Sequence, residues 1–219
     1  MTRILFVFLF TTTLTMTALS QTQNQPEIAP ACNLPLSRAP VIRGIRLGMK
    51  PDEWLKLFPG SAQDEKIKAI LARPAQYPEY GRNIITFSRA SNPNQFAYLP
   101  REGFSGIDIV SLILFDNQIV SLGVTYVPTD IKGNPYIWDD VSQLIAIFSE
   151  TFNLPKIPAW DKKSSRQAVL HCPGFKFELG ISAVPAGATA QLSLKSDYEQ
   201  IISQRAEADK QKGRAAFKP

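Results

Sequence analysis

The side chains best suited to chemistry are few: one histidine, His171, two cysteines, Cys32 and Cys172, and the adjacent carboxylate pairs Asp52-Glu53, Asp64-Glu65 and Asp139-Asp140. A Ser-His-Asp or Cys-His nucleophilic arrangement would have to use His171, whose suggestive neighbour is Cys172. Both fall in the strand-like run QAVLHC, where successive side chains point to opposite faces, so the two diverge instead of forming an ion pair. A single histidine rules out a His-rich metal site, and no acidic loop has the Asp/Asn spacing of a calcium hand, so no metal and no cofactor are expected. The glycines of RGIRLG (43–48) have no Lys-Ser/Thr pair behind them, and the helix that follows opens with Pro51, unlike a phosphate loop. Each carboxylate pair lies in or near a first helical turn, where unpaired N–H groups and the helix dipole favour negative charge. A general-acid role would need a cleft that brings two of them together.

The elements that must position these residues begin after an export signal. MTRILFVFLFTTTLTMTALS has one positive charge, a short apolar run from Ile4 to Phe10 and a small-residue exit, which predicts a secretory signal peptide over 1–20 cut near Ser20–Gln21. The apolar run is too short for a membrane anchor of about 20 residues, and nothing after it is apolar enough to span. The expected location is therefore periplasmic or secreted. In an oxidising compartment two cysteines predict a Cys32–Cys172 disulfide that ties the N-terminus to a strand. The rival for Cys32, lipidation, lacks a Leu-led lipobox: Ala-Pro-Ala precedes it. The net charge of +5 is too mild to argue for nucleic acid. The basic excess gathers at the C-terminus, in Arg205, Lys210, Lys212, Arg214 and Lys218, as a solvated face or a contact for anionic lipid.

Residues 21–41, rich in Gln, Pro and Ala, read as an extended leader. A strand-like IRGIRL follows, then a short helix with Pro51 at its first position and Trp54, Leu55 and Phe58 on one face, stopped by Pro59-Gly60. A second helix is expected with Ser61 as its cap and Ile67, Ile70 and Leu71 on its apolar side. Period-two segments follow at 82–88, 107–115 and 118–127, the last two joined by Asp116-Asn117, residues that accept the positive φ of a tight hairpin. In the last, Val120, Leu122, Val124 and Tyr126 are set against Ser121, Gly123 and Thr125. Helical period returns at Trp138, Val141, Ile145, Phe148 and Phe152, and strands are predicted at 167–172, 175–182 and 189–196. Ser196 to Glu199 form a capping box for a final helix. The predicted class is α+β: antiparallel β-meanders with helices on one face, in two pseudo-repeated helix-plus-three-strand halves, 42–130 and 131–219.

The opening of the first half, carried by Gly44, Leu47, Gly48, Met49, Trp54, Leu55, Phe58 and Pro59-Gly60, resembles the module of the BamE-like outer-membrane assembly lipoproteins, also called small protein A. Used in tandem, that module is similar to the β-lactamase-inhibitor-protein fold. The resemblance covers 42–127, and 138–196 in element order. It implies a non-catalytic module that presents a sheet face or a helix loop to other proteins. Gly44, Gly48, Met49, Pro51, Trp54 and Phe58 are then structural: Gly48 frees the chain to turn and Pro51 starts the helix.

The expected function is thus an exported, non-catalytic binding or scaffolding module with an envelope protein partner. A small envelope hydrolase using carboxylates or His171 is one alternative, and membrane-surface association through the basic C-terminal helix is another. Trp160, in the aperiodic LPKIPAWDKKS, is the candidate exposed aromatic of a contact surface.

Overall fold

A computed structural model describes residues 32–73, 81–89, 97–127, 138–183, 186–195 and 198–216. The predicted signal peptide, residues 21–31 of the predicted leader and the expected cap at Ser196 lie outside the described residues. Among those described, eight strands share one sheet: β1 (Arg82–Ser88), β2 (Ala97–Tyr98), β3 (Ile107–Phe115), β4 (Gln118–Tyr126), β5 (Asp161–Ser164), β6 (Gln167–His171), β7 (Phe175–Ala183) and β8 (Ala186–Leu194), in the order β2-β1-β3-β4-β8-β7-β6-β5. Four α-helices accompany them: α1 (Pro51–Trp54), α2 (Glu65–Leu71), α3 (Val141–Phe152) and α4 (Tyr198–Ala216). The α+β class holds. The sheet is mixed, because β2 pairs parallel to β1 while every other pairing is antiparallel. The strands of 82–126 and 161–194 meet at β4 and β8 in one continuous sheet.

Alternation sorts the two faces cleanly. Across the sheet, Ile85, Leu112, Leu122, Leu192, Phe177 and Leu170 stand in register, and each is almost fully buried. This is the face that α1, α2 and α3 cover. Beneath α1, Phe58 stacks on Phe87 with ring centroids 3.8 Å apart, and Trp54 meets both rings edge-on. Beneath α3, Phe177 is ringed by Phe148, Phe152 and Trp160 at 5.8 to 6.4 Å. Full burial of one such side chain stabilises the fold by roughly 1.5–3 kcal/mol.

Several local expectations are corrected. IRGIRL is not a strand: Arg43 and Gly44 both take positive φ, 53° and 82°, so the chain doubles back and only Ile42 and Ile45 bridge. Gly48 does turn the chain, at φ 79°, and Pro51 opens α1. The cap of α2 is Asp64, whose Oδ1 accepts from the backbone N–H groups of Lys66 and Ile67, while Ser61 is consumed in the turn after Gly60. Trp138 precedes α3, because Asp140 caps that helix at Ser142 N, 2.7 Å away. Asn153, left-handed at φ 52°, ends it. In β4 a register shift sets Ile119 opposite Leu114, so Val120 drops out of the predicted alternation. The Lys/Ser-rich connection carries an unforeseen strand, β5, every residue of which is exposed at the sheet edge. Charged side chains protect such an edge from pairing with other chains.

The disulfide forms as expected, Cys32 to Cys172, with Cα atoms 4.8 Å apart across 140 residues of sequence. It fastens the described part of the leader to the β6–β7 turn. Gly174 makes that seat possible: a Cβ there would lie 2.8 Å from the Leu36 Cβ and 3.1 Å from its backbone nitrogen.

Candidate functional site: the open face of the sheet

The face turned away from α1, α2 and α3 has a different composition. Three registered rows cross it from β1 to β6. The first runs Ile84, Ile113, Ser121, Ser193, Lys176, His171, and the second Thr86, Ser111, Gly123, Gln191, Glu178, Val169. The third runs Ser88, Ile109, Thr125, Thr189, Gly180, Gln167. The first and third rows carry isoleucines on the β1–β3 side, where the second has Thr86 and Ser111; the centre is made of Ser, Thr and Gly positions with Gln191 among them, and the β6 ends are polar or charged. Val169, at the end of the second row, is the exception.

Small central residues leave a hollow of about 690 Å³. Its floor is Ser121, Gly123, Thr125 and Thr189; its walls are Ile84 and Ile113 on one side and Arg166, Gln167 and Glu178 on the other. Few floor groups are long, so the backbone lies close to the surface. The centre also holds itself together: Thr86 and Ser111 hydroxyls lie 3.3 Å apart, and the Gln191 amide donates to the Ser121 hydroxyl at 3.4 Å. At the rim, Lys176 pairs with Glu178, and the Arg166 Nε donates to the Ile181 carbonyl. Ile84, 54% exposed, is a large apolar group offered to solvent on this face, and Tyr98 of β2, in register with Ser88, is another at 68%. The arrangement is graded, with an apolar flank, a hydrogen-bonding floor and a charged flank.

The residues singled out for chemistry lie elsewhere or are already engaged. His171 is exposed at the end of β6, and the Cys172 sulfur is bound to Cys32, so no thiolate stands beside the imidazole. Glu53 accepts from the Lys50 backbone N–H and from Arg46 at the start of α1. Asp64 caps α2, and Glu65 pairs with Lys68. Asp140 caps α3 and receives Lys162 Nζ at 3.0 Å; the Ser142 bonds and that ammonium hold its carboxyl down at about 2. The three pairs sit at three different helix starts. Among the described residues no group of three or more His, Cys, Asp or Glu side chains could hold a metal ion.

Trp160 is not the exposed aromatic its surroundings suggested. It is 4% exposed, its indole Nε1 donates to the Pro155 carbonyl at 2.8 Å, and its ring packs against Phe177. The Pro-flanked segment lacks periodicity because it folds back on itself, carrying the tryptophan inward. No helix among the described residues is long and apolar enough to cross a membrane. The open face was half visible in the sequence, since Ser121, Gly123 and Thr125 alternate with apolar residues. Its continuation through Gly180, Thr189, Gln191 and Ser193 follows only from the β4–β8 pairing, which joins segments some seventy positions apart. Comparisons of the chain with protein-family models, with curated proteins and with solved structures each returned no match.

Proposed function

We propose that this protein is an exported, non-catalytic binding module that receives an envelope protein partner on the open face of its sheet. The observation that carries this reading is the row structure of that face: an isoleucine flank, a floor of Ser, Thr and Gly, and a charged flank, all in register across strands from both parts of the chain. Apart from Gln191 the floor carries short side chains, which cost little side-chain entropy when a partner settles on them, and the half-buried hydroxyls of Ser111, Thr125 and Thr189 are its donors and acceptors for an incoming loop. The disulfide and the N-terminal signal pattern support an oxidising compartment. The two halves read as one helix-plus-meander unit used twice, with their last strands, β4 and β8, paired antiparallel at the centre. That arrangement, with the Gly48–Phe58 opening, supports the resemblance to BamE-like modules in tandem.

Site-specific photo-crosslinking in envelope extracts tests the reading. A crosslinking residue at Gln191, exposed on the floor, is expected to capture a discrete partner, whereas one at Lys68, exposed on α2, is expected not to. Identical adducts from both positions, or none from Gln191, would refute the open face as the interface.

A further inference from the structure

On the helix side a second hollow opens between α3 and the Arg43–Gly44 turn, with a volume of about 550 Å³. Its walls are Tyr126, Trp138, Leu144, Phe148 and Phe152, and Ala188 forms part of the lining. The reason for the space is visible in the register: Tyr126 pairs with Ala188, a residue too small to fill the gap beneath α3. Arg43, itself exposed, belongs to the same lining, so among the described lining residues one cation borders an apolar chamber.

Arg43 is held there by the backbone. Its φ of 53° is one that a long side chain rarely adopts, and the bridge between Ile42 and Ile45 fixes the turn around it. Its Nη2 donates to the Ser105 carbonyl at 3.1 Å, which uses one of five donors. Among the described residues no carboxylate pairs with it. Its charge reaches the chamber, because it opposes the rise that burial imposes on the Tyr126 phenol. Apolar walls, room for a small ligand and one anchored guanidinium without an acid define a ligand class.

We infer that this chamber binds an unbranched aliphatic carboxylate, its chain lying against Phe148, Phe152 and Trp138 and its head group paired with Arg43. The site lies on the opposite side of the sheet from the proposed partner face, so either can stand without the other.

The test is calorimetric titration of the oxidised full chain with sodium hexanoate, octanoate and decanoate, and with decanol as the uncharged control. Each added methylene should tighten binding about fourfold while the chain stays inside the chamber. Decanol should bind at least about tenfold more weakly than decanoate, since it forgoes the charge-assisted pair. Arg43→Asn, which tolerates the left-handed φ, should show the same loss, and Arg43→Lys should restore most of it. Thr151→Phe, at an exposed position of α3 lining the chamber, should block the longer acids without disturbing the core. Failure of decanoate to saturate by about 1 mM would overturn the inference. So would saturable binding that neither Arg43→Asn nor Thr151→Phe weakens.

Discussion

Arg205 of α4 grips Asp116 at the tip of the β3–β4 hairpin with Nη1 and Nη2, each 2.8 Å from a carboxylate oxygen, while the same guanidinium lies 4.9 Å from the centre of the Phe115 ring. One side chain thus joins the C-terminal helix to the sheet by a bidentate ion pair and a cation–π contact. Asp116 can hold its place only because the turn accepts positive φ at both of its residues, 48° at Asp116 and 62° at Asn117. Apolar anchorage is confined to the start of α4, since its sequence turns polar after Ile202.

Arg205→Ala should therefore release α4 without unfolding the sheet. The partners are a third to nearly half exposed, so solvent screens the pair and the global cost should stay near 1 kcal/mol or below. Hydrogen exchange is the decisive measurement: amides along α4 should lose protection, while those of β3 and β4 keep theirs. Raised salt should reproduce part of the effect in the wild type. Equal loss of protection in the sheet would contradict a local clamp.

The Cys32–Cys172 link should dominate the stability of the N-terminal segment. It closes 140 residues, and chain-entropy reasoning puts such a link at roughly 5 kcal/mol. Replacing both cysteines by serine should lower the denaturant midpoint by a corresponding amount. Gly174→Ala offers a milder probe, because its methyl group would collide with Leu36 while leaving both cysteines in place. That variant should expose the 33–40 segment to protease with the sheet intact, and a resistant segment would show that the seat is looser than the distances indicate.

What could be read in advance tracks how local each signal is. The hairpin at Asp116-Asn117, the apolar stripe of α3 and the Pro51 helix start are written within a few neighbouring residues, and each formed. Arg43-Gly44 defeated the strand reading because a left-handed arginine is uncommon and period two persists on both sides of it. The exposed edge strand β5 has no apolar alternation to reveal it. Trp160 and the Arg43 chamber depend on contacts between distant segments. The hydroxyl floor of the open face is an intermediate case, spelled out strand by strand but assembled only when β4 meets β8.

Asp140 should give a distinctive acid response. Hydrogen bonds from Ser142 and the Lys162 ammonium hold its carboxyl at about 2 in the folded chain against an ordinary 3.8. A folded-state value below the unfolded one contributes stability that is present above pH 3.8 and disappears as pH falls through 2. The stability advantage of the wild type over Asp140→Asn should accordingly be constant near neutrality and shrink between about pH 4 and 2. Carboxyl NMR titration should place the Asp140 midpoint near the bottom of that window, and Ser142→Ala should move it upward. An Asp140 midpoint near 3.8 in the wild type would discount the cap.

Tyr126 should respond at the other end of the scale. Burial beside Phe148 pushes its phenol up to about 12, with the Arg43 charge opposing the rise. Below pH 10 the group is neutral whether the chain is folded or not, so it has no effect there. From pH 10 towards 12 the unfolded chain ionises first, and stability falls. Ultraviolet titration should show one tyrosine ionising late, and Tyr126→Phe should remove part of the alkaline loss. Arg43→Asn should raise the Tyr126 midpoint further, a shift that needs no ligand and so reports on the chamber's electrostatics alone.

The open face can be separated from the fold that supports it by using its two central glycines differently. A Cβ at Gly180 would come within 2.6 Å of the Thr189 hydroxyl, whereas one at Gly123 would meet the Ser111 Cβ at an ordinary 3.7 Å. Gly180→Ala should therefore cost about 1–3 kcal/mol by overpacking the strand pair. Gly123→Tyr should fold with a denaturant midpoint close to wild type, since its ring can lie in the hollow and tyrosine suits a strand. The same ring fills the space a partner would need. If the face is the interface, Gly123→Tyr abolishes the Gln191 crosslink while leaving stability intact, a separation that general destabilisation cannot imitate; a stable Gly123→Tyr protein that still captured its partner would place the contact elsewhere.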